Sequence, residues 1–353
     1  MENSTSICNC QFLALGGGGQ RWGAKALSFL RLNRNNRRVA TLHIQKIDSF
    51  DTPELRPYAT MRRPLEHERQ GIFVAEGEKV VRRLLESRFE VVSVLLPGKH
   101  LDGFRPLLEA RPEKPTVFLA DKKLLESLIG FSMFQGVLAV GKIPPPVSLD
   151  DILLKSQKPL LLVAIDALAN AENLGALVRN CVAFGVHALI AGETSSSPFL
   201  RRAVRNSMGT ILQLPVVELA KLGQRHQFTT KPHTTDLTLV ECLKGLRARG
   251  VRCIATCPHA ESWSSSFSLP PTASMPSQDR LKLELQHKTI SRTDFTGDCC
   301  IVFGSEGDGI SAPVLEACDE GVAIPMPPTV DSLNVGAAAA VFLYEVNRQR
   351  KKV

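Results

Sequence analysis

Two short runs in the second half of the chain, Leu160-Leu-Leu-Val-Ala-Ile165 and Cys299-Cys-Ile-Val-Phe303, are apolar from end to end. A strand with one wet face alternates apolar and polar residues. An uninterrupted apolar strand has to be covered on both faces, as in a parallel sheet flanked by helices. The surrounding sequence supplies such helices. The apolar period predicts helices at 174–184, near 199–208, at 236–248 and from about 332 to 348. Between them lie β-rich runs at Val186–Ala191, Ile211–Val217, Val251–Ala255 and Val322–Ile324, the outline of a doubly wound α/β sheet.

A smaller α/β module is expected upstream, over residues 51–141. Gly71–Leu85 reads as a strand entering a helix, with Gly77 at the junction and Val80, Val81, Leu84 and Leu85 giving the helical period. Val91–Leu96, Thr116–Leu119 and Gly136–Val140 read as strands, and Asp121–Gly130 as a short amphipathic helix. The three consecutive prolines of Lys142–Val147 suit neither a helix interior nor a central strand, so 142–150 is read as a stiff linker. The second domain then runs over 151–353. Within it, the Ser- and Pro-rich stretch 258–297 is read as a low-complexity insertion.

The formal net charge of +8 points weakly to a polyanionic partner. Seven Lys/Arg against two acids in residues 1–50 place five of those eight charges in a basic, acid-poor N-terminal segment. That flexible segment reads as a transit peptide for chloroplast or mitochondrion, with a disordered RNA-binding arm in a cytoplasmic protein as the alternative. No apolar run has the length of a membrane span. The nine cysteines lack paired C-x2-C spacing, so reduced thiols and no metal are expected.

Three segments carry chemistry. In Asn173-Leu-Gly-Ala-Leu-Val-Arg179, Leu174, Leu177, Val178 and Cys181 form one helical stripe. Asn173 is placed as an N-cap, and Gly175 leaves the face it shares with Arg179 uncrowded for a ligand. Gly304-Ser-Glu-Gly-Asp-Gly309 puts three glycines into six positions after an apolar strand, a loop that can approach a ligand by its backbone. It fits neither G-x-G-x-x-G nor a P-loop, which counts against a nucleotide-binding oxidoreductase. Ile324-Pro-Met ends a strand, and Ser332-Leu-Asn-Val335 opens the last helix, with Ser332 as its N-cap candidate.

In this order and spacing, the three segments resemble the motifs of the SpoU (TrmH-like) branch of SPOUT RNA methyltransferases. The resemblance covers roughly residues 50–350. It implies a C-terminal α/β domain with a parallel sheet and a trefoil knot, preceded by a small ribosomal-protein-like α/β substrate-binding domain to which Glu76 and Gly77 belong. It also implies transfer of a methyl group from S-adenosylmethionine to a ribose 2′-hydroxyl of tRNA or rRNA, by a homodimer without metal or membrane. Arg179, Asn173, Glu306, Ser332 and Asn334 then take the catalytic positions, and Gly304, Ile324, Met326 and Leu333 face the cofactor. The basic stretch Arg201, Arg202 and Arg205 is expected to grip phosphates, against the alternative of a solvated helix face. A non-catalytic RNA-binding ribosome-assembly factor of the same fold is the rival reading, opposed by the intact motifs. Methylation of a tRNA base is another, and the motif details favour the ribose.

Overall fold

The computed structural model describes residues 42–129, 136–219, 237–257, 287–327 and 329–351. The transit-peptide reading of the N-terminus lies outside them, as do Cys8, Cys10 and residues 258–286 of the expected insertion.

The first sheet contains β1 (Ile44–Lys46), β2 (Ile72–Glu76), β3 (Val91–Leu96), β4 (Thr116–Leu119) and β5 (Leu138–Lys142). Its spatial order is β1-β4-β3-β5-β2, with the β5 pairings antiparallel and the others parallel. Helices α1 (Arg56–Ala59), α2 (Pro64–Gln70), α3 (Glu78–Glu86), α4 (Leu101–Glu109) and α5 (Lys122–Ile129) connect and cover it. β1 corrects the reading of 1–50 as a flexible segment. Ile44 to Lys46 pair with Val117 to Leu119, and Ile47 is buried with Leu55 and Tyr58. Three residues are too few to show a period, so the strand was not readable from sequence.

The second sheet has β6 (Leu161–Ile165), β7 (Ala188–Ala191), β8 (Val216–Glu218), β9 (Arg252–Cys257), β10 (His287–Thr289), β11 (Cys299–Phe303) and β12 (Glu320–Ala323). Its order is β10-β12-β9-β11-β6-β7-β8, parallel throughout. The apolar strands do what their composition requires. Leu161, Val163 and Ile165 of β6 enter one buried cluster, with α7 (Ala171–Ala183), α8 (Arg201–Asn206) and α11 (Val335–Arg350). Leu162 and Ala164 enter the other, with α6 (Leu149–Lys155), α9 (Leu239–Ala248) and α10 (Ala312–Glu316). Ile301 and Val302 of β11 divide in the same way.

Two further expectations change. Ile211–Val217 is only partly strand, because Thr210–Gln213 forms a 3-10 turn that follows the left-handed Met208 and Gly209. The expected insertion also ends earlier than position 297. His287–Thr289 is the edge strand β10, and Ile290, Thr293 and Phe295 are buried. Arg350 at the end of α11 fixes this segment by donating to the carbonyl oxygens of Phe295 (2.9 Å), Gly297 (2.6 Å), Pro159 (2.9 Å) and Leu160 (2.8 Å). A compositional reading cannot anticipate an arginine arriving from some 55 residues downstream.

The two sheets are distinct, and the proline-rich stretch separates them in sequence. One hydrophobic cluster nevertheless passes through both, joining Phe73, Val80 and Leu84 to Phe199, Val204 and Leu177. The described residues from Leu42 onward form one compact unit.

Candidate active site

The carboxyl ends of β9, β11 and β12 open into a cleft of about 670 Å³. This is where ligands bind in open α/β sheets, and the size suits a nucleoside-scale molecule. One wall is the loop Gly304–Gly309. It turns back on itself, with the Ser305 N–H donating to the Gly309 carbonyl (2.9 Å). A Cβ on Gly304 would lie 2.1 Å from the carbonyl carbon of Gly309, so no other residue fits there. The glycine that the sequence offered as a ligand contact is first a condition for the loop to close, while it also lines the cleft.

The opposite wall is Ile324, Met326 and the stretch Asp331–Val335. All four expected cofactor contacts, Gly304, Ile324, Met326 and Leu333, therefore line one cleft. Thr256 and Cys257 also line it. They were missed, although their place at the carboxyl end of a central strand was the available signal. Burial pushes the Cys257 thiol up to about 12, so it stays protonated at neutral pH and is not a nucleophile.

The three motifs meet at Asn173. Its Nδ2 donates to Glu306 Oε1 (2.8 Å), and its Oδ1 accepts from Asn334 Nδ2 (2.8 Å). Asn334 Oδ1 in turn accepts from the Gly336 N–H (2.9 Å) and caps α11. Two capping expectations are corrected here. The N-cap of α7 is Asn170, whose Oδ1 accepts from Glu172 and Asn173 N–H groups, not Asn173. The N-cap of α11 is Asn334, not Ser332, and Ser332 lines the cleft. Both shifts matter chemically. A capping asparagine would have its oxygen occupied by backbone, whereas Asn173 sits inside the first turn and is free to join Glu306 to Asn334.

About two turns further along α7, Asn180 Nδ2 donates to the Gly336 carbonyl (2.6 Å), and a Cβ on Gly336 would meet the Ala176 Cβ at 2.9 Å. Asn173, Ala176 and Asn180 recur on the helical period, so one face of α7 is set against the start of α11. Asp166 anchors the far side of the glycine loop. It follows β6, is buried, and its Oδ2 accepts from the Ser311 N–H (2.7 Å). Sequence reasoning overlooked this acid, although a carboxylate directly after an all-apolar strand was the sign of it.

Arg179 is exposed and has no hydrogen-bond or ion-pair partner among the described residues. Gly175 does not open a ligand face as expected. A Cβ there would meet the Ala203 carbonyl oxygen and the Asn206 Cβ, both at 2.6 Å, so its role is close packing of α7 on α8. Arg202 is exposed, but Arg201 and Arg205 both reach Glu76 at the end of β2. His187 is structural: its Nδ1 accepts from the Leu161 N–H (3.0 Å), and burial holds its pKa below the usual value. Among the described residues, no cluster of His, Cys, Asp or Glu is arranged to hold a metal ion.

A doubly wound parallel sheet, a nucleoside-sized cleft at its carboxyl edge and a three-motif polar junction beside it define the class: an α/β enzyme acting with a nucleoside-bearing ligand. The profile of the SpoU rRNA Methylase family matches residues 160–240 and 223–344. The chain belongs to that family. A 23S rRNA (guanosine-2′-O-)-methyltransferase RlmB of Ralstonia nicotianae is 31% identical over 235 residues, 66% of this chain and 77% of that protein. An uncharacterized tRNA/rRNA methyltransferase of Mycobacterium bovis is 29% identical over 311 residues, 87% of this chain and 93% of that one. The fold is that of the AdoMet-bound rRNA methyltransferase of Sinorhizobium meliloti, with TM-score 0.65 at 18% identity over 87% of this chain and 98% of that one.

Proposed function

We propose that the protein is an S-adenosylmethionine-dependent RNA 2′-O-ribose methyltransferase. The observation that carries this reading is the junction of Asn173, Glu306 and Asn334 at the mouth of the cleft. The residues present fit the cofactor: a loop with no side chain at Gly304, an apolar wall of Ile324 and Leu333, and half-exposed polar groups around them. S-adenosylmethionine supplies an electrophilic methyl group on a sulfonium.

The chain's own contribution is positioning and charge. A ribose hydroxyl is a poor nucleophile until it is held at attack distance and gives up its proton, which here passes to the water that reaches the exposed lining of the cleft. Asn173 and Asn334 orient it, and Glu306 fixes the Asn173 amide. Ser332 adds a hydroxyl in the same cleft. Arg179 remains a guanidinium throughout. It grips the neighbouring phosphate and stabilises negative charge on the 2′-oxygen. The freedom of its side chain supports this role, because a guanidinium already paired within the protein has little left for RNA.

The RNA is a tRNA or rRNA, the substrates printed in the relatives' names. We propose a homodimer, supported by the exposed Val341 and Tyr344 on α11, a helix whose other face is buried. We also propose that the basic N-terminus directs the chain to a chloroplast or mitochondrion, the cytoplasm being the alternative. Import of a fluorescent fusion to residues 1–50 distinguishes the two. The test of function is mapping of 2′-O-methyl marks in RNA from cells with and without the protein. Loss of one mark, restored by the wild-type chain but not by Asn173→Ala, is the expected result. An unchanged ribose map with a lost base methylation would refute it.

A further inference from the structure

The sequence offers Arg201 and Arg205 as phosphate grips, yet both are engaged by one carboxylate. Glu76 accepts from Arg201 Nη1 and, at 2.9 Å, from Arg205 Nη1. The Glu76 and Arg201 side chains are only 11% and 17% exposed, so this pairing is largely screened from competing water and salt. Glu76 ends β2 of the first sheet, and the two arginines stand on α8 of the second.

Other contacts secure α8 to the first sheet at the same place. Arg83 Nη1 donates to the Met208 carbonyl (2.6 Å), and the Phe199 ring lies 5.8 Å from Phe73 and 6.0 Å from Phe89. On its other side α8 meets α7 at Gly175, where even a methyl group has no room. A six-residue helix held this way has no slack towards either neighbour. The placement of α8 therefore sets that of α7, and α7 carries both Asn173 and Arg179.

Resting on the methyltransferase reading above, we infer that Glu76 is a positioning residue for methyl transfer. Through Arg201 and Arg205 it locks α8, and with it the α7 helix bearing Asn173 and Arg179, to the first sheet. RNA bound on that sheet is then held at a defined distance from the reacting groups.

The test uses the full-length protein with Glu76→Gln, Glu76→Asp, Arg201→Ala and Arg205→Ala. Glu76→Gln keeps the shape and removes the charge. Its kcat at saturating RNA should fall about 10- to 100-fold, the scale of a misplaced reacting group. Cofactor Kd and the salt slope of RNA binding should hold. Glu76→Asp should recover part of the loss. A direct phosphate contact would instead contribute about 0.7–0.9 to the salt slope. Flattening of the slope by that amount in Arg201→Ala or Arg205→Ala, with kcat intact, overturns the inference and makes these residues RNA grips. Unchanged kcat in Glu76→Gln overturns it too. Should the Glu76 variants unfold, Arg205→Ala decides, since that side chain is 56% exposed and its removal leaves Arg201 on Glu76.

Hydrogen exchange supplies a readout that needs no substrate. Faster exchange in residues 171–183 of Glu76→Gln, with 304–309 unaffected, supports the coupling, and equal exchange in both segments rejects it. Absence of methyl transfer in the unaltered protein would sink the proposed function while leaving this arm readable.

Discussion

The cleft junction and the α8 clasp are both built from paired polar side chains, and they behave as opposites. At the clasp, Glu76 and Arg201 are nearly enclosed, and the polar capacity of Arg201 is directed inward. At the junction, Asn173, Glu306 and Asn334 are joined by amide–carboxylate and amide–amide hydrogen bonds at the surface, and Arg179, further along the same helix, has no hydrogen-bond or ion-pair partner among the described residues. Buried, satisfied groups resist exchange with a ligand, because removing one leaves its partner stranded. Exposed groups can trade a hydrogen bond for an RNA or cofactor contact at little cost, because water can take up the partner left behind. Of the four arginines on these two adjacent helices, Arg201 and Arg205 are held by a carboxylate, while Arg179 and Arg202 have no such partner among the described residues.

The contrast can be broken most severely at the edge of the second sheet. Phe295 is fully buried beneath the Arg350 contacts and belongs to none of the three motifs. Phe295→Ala should cost about 3–5 kcal/mol in chemical denaturation, while single-turnover transfer by the folded fraction persists. A melting curve unchanged from wild type would return 287–297 to the status of a dispensable insertion.

Arg179→Ala should do the reverse. Denaturation and cofactor calorimetry should match wild type, because Leu177, Val178 and Cys181 anchor the helix and exposed Arg179 makes no hydrogen bond or ion pair among the described residues. Methyl transfer should drop by a factor of about 100–1000, the scale of losing one preorganised charge contact. Arg179→Lys should not restore it, since an ammonium lacks the planar fork that matches phosphate. Near-normal turnover in Arg179→Ala would move the catalytic role elsewhere.

Gly175→Ala probes the point where the two regions touch. Overpacking against Ala203 and Asn206 should destabilise by about 1–3 kcal/mol and should depress kcat more than cofactor affinity. An exposed helical glycine would instead gain stability from the change, by up to about 1 kcal/mol. The sign of the measured shift therefore decides whether the contact is as tight as described.

The smallest effect concerns pH. Burial lowers the pKa of His67 and His187, so both are neutral in the fold. The unfolded chain, with ordinary histidines near 6.5, binds more protons below that value. Stability should therefore be complete above about pH 6.5 and decline as pH falls through it. Denaturant midpoints at pH 7.5 and 5.5 measure this, and His187→Gln should reduce the difference. A midpoint that rises on acidification would contradict the assignment.

The site was legible as a set of positions and much less so as roles. Gly304, Ile324, Met326 and Leu333 were expected as cofactor contacts from the resemblance of their segments to the family's motifs, and the structure lines one cleft with all four. Asn173 and Ser332 were also described as helix caps, and the structure corrects that reading. Capping depends on which of two nearby polar residues the backbone turns at, and Asn170 and Asn334 won those contests. Asp166 and Cys257 were overlooked: their positions at strand ends were visible, but their meaning comes from a partner 145 residues away or from a cleft wall.

By itself the sequence determined the two α/β modules and the apolar strands at the centre of the parallel sheet, because each follows from local period and residue type, and it carried the three motifs that resemble the family's. Only the tertiary structure decided which arginines are free, why Gly175 must lack a side chain and where the insertion ends. Those depend on what approaches from across the fold: a carboxylate at Glu76, a carbonyl at Ala203, a guanidinium at Arg350. Short-range pattern specifies an element and its buried face, but a charged or missing side chain acquires its role only from the partner that the packing brings to it.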